Sequence, residues 1–244
     1  MYYHSEAKTM KKILSILLAA LTVITLALPA FADEAKSGTC GANATWSFDS
    51  ATGKLTVSGS GNIYSYGKSS SPFYAFRNQI KEAVIEEGIT GIGQYAFSGF
   101  TQGSNEKSTL EKVKFPSTLK LIDMYAFSYT SLKEVSLPEG LEAINTGAFA
   151  MNSSLTSVTL PKSIKNIHSF AFNGCTALST VNYAGSEADK AGLSISEKND
   201  SLMTAKWNCN YGESFFSRIG RKIKDFFARI RDLLSTIFTS FAAA

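Results

Sequence analysis

The feature that most constrains this chain is a run of apolar residues that returns after 23 residues. The segment LPEGLEAINTGAFAMNSSL (137–155) comes back as LPKSIKNIHSFAFNGCTAL (160–178), with its apolar letters kept and its charged letters changed. A unit of this length is too short to bury its own apolar residues, but copies stacked on one another can bury them. The pattern therefore predicts a solenoid in which the repeated letters form a shared core and the variable letters form the surface.

Four full copies and a truncated fifth align over residues 80–183. Each copy begins with a V-x-L-like alternation, which is typical of a short strand with one buried face. Proline follows in three copies and ends the strand, because it has no N–H to donate to a sheet. A second short extended piece and an Ala-Phe pair come next, and we expect the Ala-Phe segment to close the coil as one helical turn. The pairs end at Phe97, Phe127, Phe149 and Phe172, which we expect to stack in a single file.

The string L-x-x-V-x-L-P-x-x-I-x-x-I-x-x-x-A-F-x-x-C-x-x-L resembles the leucine-rich repeats of BspA-like bacterial surface proteins. The stretches Ser37 to Ile63 and Val181 to Trp207 are similar to the caps that flank such repeats. The first repeat departs from the pattern, with Ala83 and Glu86 where Val and Pro are usual. The resemblance implies an α/β repeat solenoid, β-rich with short helical turns, in a secreted or surface-displayed binding protein that is often an adhesin. It implies no shared catalytic residues.

Residues 1–32 have the composition of a secretory signal peptide. Three lysines precede the apolar run 13–28, and Ala30-Phe31-Ala32 supplies the small residues at which signal peptidase cuts. The run is shorter than the roughly 20 residues that a membrane-spanning helix needs. We therefore predict cleavage after Ala32 and a secreted or cell-surface protein, with an uncleaved anchor as the alternative.

The rest of the chain divides into four segments. Residues 33–79 are expected to form an aromatic β-hairpin cap, because an open solenoid end would expose apolar columns and strand edges. Residues 80–183 hold the repeats, and residues 184–213 are expected to form the closing cap. Residues 214–244 are expected to form a long basic helix.

That last segment places apolar residues at steps of three and four, which predicts an amphipathic helix with a basic polar face. Such a helix can lie in a lipid interface rich in anionic headgroups. It can also cover the last coil or self-associate, and the sequence leaves the three alternatives open. In the membrane alternative the repeats act as a scaffold. The contact residues would be Phe216, Arg218, Ile219, Arg221, Lys222, Ile223, Phe226, Phe227, Ile230 and Leu233.

Catalytic chemistry finds little support in the sequence. An enzyme needs a mutually positioned acid, base or nucleophile, whereas His168 falls in a variable, outward column of the repeat. The stretch GIGQYA (91–96) matches a dinucleotide-binding fingerprint only weakly, and the sister repeats AINTGA and LIDMYA explain it. We predict a protein that is not an enzyme and carries no cofactor.

The three cysteines predict neither a metal site nor a disulfide. Their spacing is not that of metal ligands. Cys175 occupies the slot that Asn152 fills one repeat earlier, so we expect a buried structural residue. Cys40 and Cys209 lie in opposite caps, where the predicted separation exceeds the reach of a disulfide.

The outward residues of the predicted strands would line the concave face, the usual binding surface of solenoids. They form a short, mixed, polar stripe suited to hydrogen bonding with a protein or glycan, although a merely solvated face is the alternative. The positive charge of the chain lies mainly in its two ends, and no basic patch with interleaved aromatics in the body predicts nucleic-acid binding. The candidate contact residues are Lys112, Lys114, Glu134, Ser136, Ser157, Thr159, Thr180 and Asn182.

Overall fold

The computed structural model describes residues 36–103 and 106–242, so the predicted signal peptide lies outside the described residues. The strands are β1 (Lys36–Thr39), β2 (Asn43–Asp49), β3 (Lys54–Asn62), β4 (Glu82–Ile85), β5 (Ile89–Ile92), β6 (Lys112–Lys114), β7 (Leu121–Ile122), β8 (Glu134–Ser136), β9 (Ala143–Ile144), β10 (Ser157–Leu160), β11 (Asn166–Ile167), β12 (Thr180–Tyr183), β13 (Ser194–Ile195) and β14 (Lys206–Cys209). The helices are a 3-10 turn (Tyr74–Phe76), α1 (Glu187–Ala191), α2 (Asp200–Thr204) and α3 (Phe215–Ala242).

The repeats coil into a solenoid with parallel strands on two sides. The V-x-L strands pair in the orders β3–β4–β6 and β8–β10–β12–β14, and the second extended pieces pair as β5–β7–β9–β11–β13. Pairing joins equivalent positions of successive repeats, since Val158 lies opposite both Val135 and Val181. On the other side Ile122 lies opposite Ile144. The predicted repeat solenoid is confirmed.

The predicted file of phenylalanines is confirmed as a continuous stack inside the coil. The ring centroids of Phe97 and Phe127 lie 5.0 Å apart, those of Phe127 and Phe149 5.6 Å apart, and those of Phe149 and Phe172 5.5 Å apart. The rings are nearly parallel at every step, and the last three are fully buried. Burying one such side chain is worth about 1.5–3 kcal/mol, so this column contributes much of the stability of the solenoid.

The stack continues into the segment that precedes the repeats. Phe73 stacks on Phe97 at 5.0 Å, and Trp46 meets Phe73 edge-on at 5.6 Å. Phe48 stacks on Phe76 at 4.8 Å. The strands β2 and β3 form an antiparallel hairpin, and β3 also pairs in parallel with β4 and β5. The hairpin is therefore the first layer of the solenoid, and its aromatic residues cover the end of the apolar core.

The segment around each Ala-Phe pair forms hydrogen-bonded turns in place of the helical turn that we expected. The residue two positions before each stacked phenylalanine has a φ between 54° and 63°. This left-handed backbone cannot continue a right-handed helix. The chain instead bonds to the next coil, as when the Phe127 N–H donates to the Ala148 carbonyl at 2.8 Å. The residues with this conformation are Tyr95, Tyr125, Gly147 and Phe170.

The segment after the repeats extends both sides of the coil. β14 pairs in parallel with β12, and β13 pairs in parallel with β11. Between them, Ser186 and Asp189 form a capping box at the start of α1. Asn199 is buried and accepts a hydrogen bond from the Phe172 N–H at 3.0 Å, which ties the last turn to the final stacked ring.

The predicted long helix is present as α3. Its first turn is held by Ser214, whose Oγ accepts from the Ser217 N–H, and by a pair of hydrogen bonds from Arg221 to Glu213. Among the helices of residues 36–103 and 106–242, none combines the length and the apolar character needed to cross a membrane.

The large apolar side chains described on α3 are exposed, and we call them the apolar face of α3. Their exposed fractions run from 39% to 62%, so α3 does not bury this face against the last coil, which was one of the alternatives. The side chains of Phe216 and Arg218, two of the predicted membrane contacts, lie outside those described. The apolar face comprises Ile219, Ile223, Phe226, Phe227, Ile230, Leu233 and Leu234.

Candidate binding surface

A groove with a volume of about 590 Å³ runs across the V-x-L strands of the repeats. The strands expose alternate residues, since Val135 is buried between the exposed Glu134 and Ser136 in β8. Seven of the eight predicted contact residues line the groove, and Thr180 is not among its lining residues. The lining residues are Glu82, Glu111, Lys112, Val113, Lys114, Lys133, Glu134, Val135, Ser136, Ser157, Thr159, Asn182 and Tyr211.

The charged lining residues come from the first three repeats, at one end of the groove. Lys114 Nζ lies 3.5 Å from Glu82 Oε1, and Lys133 Nζ lies 2.7 Å from Glu111 Oε2. The hydrogen bond and the charge of Lys133 lower the pKa of the Glu111 carboxyl.

The charged end also contains groups without an ionic partner. Within the part of the chain that the structure describes, Lys112 and Glu134 make no ion pair, and both are exposed. One cation and one anion are therefore in a position to meet charges on a bound molecule.

The other end of the groove is neutral and rich in hydroxyl and amide groups. Ser136, Ser157, Thr159 and Asn182 line it. The Asn208 side-chain nitrogen donates to Asn182 Oδ1 at 2.9 Å, which orients the Asn182 amide. This end can donate and accept hydrogen bonds without a charge.

Tyr211 borders the groove and was missed by the sequence analysis. Its side chain is 51% exposed, and its backbone N–H donates to the Tyr183 carbonyl at 2.9 Å. Tyr211 follows β14, beyond the last aligned repeat, so no column of the pattern points to it. A tyrosine offers a large, stiff contact area with a polar tip.

The residues weighed for other chemistry lie elsewhere. His168 is exposed on the surface. Cys40, Cys175 and Cys209 are free thiols. Within residues 36–103 and 106–242 no group of three or more His, Cys, Asp or Glu side chains could hold a metal ion.

Cys175 is the buried repeat residue that the sequence predicts. Its Sγ donates to the Phe149 carbonyl at 3.2 Å. Asn152, in the same slot one repeat earlier, donates to the Phe127 and Phe149 carbonyls at 2.9 and 2.8 Å. Burial raises the pKa of the Cys175 thiol to about 12, because the thiolate would lose its hydration.

Stacked parallel turns around a phenylalanine column define a leucine-rich-repeat solenoid. A family model described as "BspA type Leucine rich repeat region (6 copies)" matches residues 68–190. The chain belongs to this family, which confirms the resemblance noted in its repeats. The family consists of repeat proteins of the bacterial surface type and is not a family of known enzymes, so membership fits a cell-surface repeat protein.

Several solved structures are similar to this chain. A leucine-rich repeat protein from Eubacterium ventriosum is 21% identical, with a TM-score of 0.45, and the match covers 68% of this chain and 45% of that one. A leucine rich cell surface protein from Faecalibacterium prausnitzii is 22% identical, with a TM-score of 0.45, over 64% and 41% of the two chains. The chain thus spans less than half the length of either protein. No curated protein matches the chain.

Proposed function

We propose that this protein binds a protein or glycan partner at a cell surface through the groove, and that it acts by binding without catalysis. The observation that supports this proposal is the convergence of seven separately predicted residues on one groove. These residues come from four successive repeats, so a single partner could touch all of them at once.

The two ends of the groove suit different parts of one partner. Lys112 and Glu134 would pair with charges on the partner and set its orientation, because charge complementarity contributes strongly to specificity. Thr159 and Asn182 would exchange hydrogen bonds with neutral polar groups, such as peptide amides or sugar hydroxyls. Tyr211 would supply apolar contact beside them.

Binding of the labelled full chain to cultured epithelial cells tests this proposal. The variant Ser136→Lys/Thr159→Lys places two long cations in the neutral end, and we expect binding to fall about tenfold or more because a partner fitted to this end would meet bulk and unpaired charge. The matched control is Asn166→Lys/Ser194→Lys, which adds the same side chains to exposed positions of the other sheet.

The partner's chemistry can be separated in the same assay. Loss of binding after protease treatment of the cells indicates a protein, and loss after periodate oxidation indicates a glycan. The proposal is wrong if the groove variant binds as well as the parent chain, or if both double variants lose binding equally.

A further inference from the structure

The apolar face of α3 occupies one side of the helix. At about 100° per residue, its seven members fall within an arc of about 120°. Phe226 and Phe227 are 59% and 62% exposed, and Leu233 is 58% exposed. A patch of this kind is costly to leave in water, which marks it as a contact surface.

The charges of α3 are arranged around that face. Relative to the centre of the apolar arc, Lys222 and Arg229 lie about 80–100° away on one side. Lys224 and Arg231 lie about 100–120° away on the other side. Cations therefore border the apolar face along both edges, where their long side chains can reach past it.

The two carboxylates of α3 lie far from the apolar face. Asp225 and Asp232 fall about 140–160° from its centre, on the opposite side of the helix. Arg231 pairs with Asp232 at 3.0 Å, and Arg221 pairs with Glu213 at 2.9 Å. Lys222, Lys224 and Arg229 make no ion pair within the described residues.

We propose that α3 lies in the headgroup region of an anionic lipid membrane, with its apolar face toward the acyl chains. The bordering cations would meet lipid phosphates, while the carboxylates would face the water. At about 1.5 Å per residue the helix is about 42 Å long, so it would lie along the surface. This attachment does not depend on the groove and would present the groove on a membrane.

The charge pattern favours lipid over a second copy of the chain. Paired helices place oppositely charged residues along the borders of their apolar seam. Both borders of this face are cationic, so two copies would bring like charges together. An anionic bilayer attracts the same borders.

Co-sedimentation of the full chain with vesicles tests the proposal. We expect binding to vesicles that mix phosphatidylglycerol with phosphatidylcholine, and at least tenfold weaker binding to phosphatidylcholine alone. The variant Phe226→Ser/Phe227→Ser should reduce binding to the anionic vesicles at least tenfold. Lys222→Glu/Lys224→Glu should do the same at about 0.1 M salt and differ less from the parent chain at about 1 M, where charges are screened.

Matched controls change similar residues of the body. Tyr64→Ser/Met203→Ser removes two exposed apolar side chains, and Lys54→Glu/Lys81→Glu reverses two exposed cations. Both controls should bind vesicles like the parent chain, and all variants should keep its melting temperature.

Three results would overturn the proposal. One is equal binding to anionic and neutral vesicles, and another is equal loss of binding in the controls and the helix variants. The third is an absence of vesicle binding together with a dimer in solution that Phe226→Ser/Phe227→Ser dissociates, which would assign the face to self-association.

Discussion

The repeats and α3 both contain regularly spaced phenylalanines, yet these side chains have opposite environments. Phe127 and Phe149 are fully buried, whereas Phe226 and Phe227 are about 60% exposed. In the repeats the spacing places equivalent rings on adjacent coils, where parallel pairing brings each ring onto the next. In α3 the spacing places the rings on one side of a single helix. Periodicity thus specifies which face is apolar, and a neighbouring element is needed to bury it.

Truncating one phenylalanine from each region should show the largest contrast. Phe149→Ala removes a ring from the middle of the stack, and we expect it to lower the free energy of unfolding by about 3–5 kcal/mol, because it leaves a cavity between coils. Phe226→Ala should change it by less than about 0.5 kcal/mol, as for an exposed site. Denaturant unfolding of the full chain measures both. Similar losses from the two substitutions would mean that α3 packs on the solenoid.

A glycine in each region gives a second contrast. Gly147 has φ 63°, and a Cβ there would overlap the Tyr125 ring, so Gly147→Ala should destabilise the chain by about 1–2 kcal/mol or more.

Gly220→Ala in α3 should have the opposite effect. No atom would contact the added Cβ, and alanine favours a helix over glycine by about 0.5–1 kcal/mol. Circular dichroism should show more helix while the melting temperature of the body stays unchanged. A loss of helix in Gly220→Ala, or no effect of Gly147→Ala, would contradict the contrast.

A pH titration tests burial in the body alone. Burial raises the Cys175 pKa from 9.0 to about 12, so its stabilising contribution is complete below pH 9 and is lost as the pH rises toward 12. We expect a loss of about 1.4 kcal/mol at pH 10 relative to pH 7, measured with a reductant present. Cys175→Ala should remove this part of the pH dependence, and deleting residues 214–244 should not. An unchanged titration in Cys175→Ala would show that another group is responsible.

The repeat pattern predicted most of the fold because the same letters perform the same task in every coil. The phenylalanine column, the proline at the end of each first strand and the buried Cys175 all follow from the alignment of copies. The left-handed conformation of Tyr95 and Tyr125 did not, since tyrosine is not a residue that signals a positive φ. Only the comparison with Gly147 in the same column hinted at it.

The candidate site was predictable in part, for a related reason. Strand alternation identified the outward residues, and the structure places Lys112, Glu134, Ser136 and Thr159 along one groove. The ion pairs that occupy some of its charges depend on distances between coils, which spacing does not supply. Tyr211 lies outside the repeat and reaches the groove only through the path of the chain after β14.

By itself, the sequence determined the coil, its core and the two faces of α3, because apolar spacing is a local property that every copy or turn repeats. Only the tertiary structure decided which apolar surface is covered. Parallel pairing supplies a partner for each repeat, whereas no described element packs over the apolar face of α3. Burial is a relation between two surfaces, and a spacing along one chain describes only one of them.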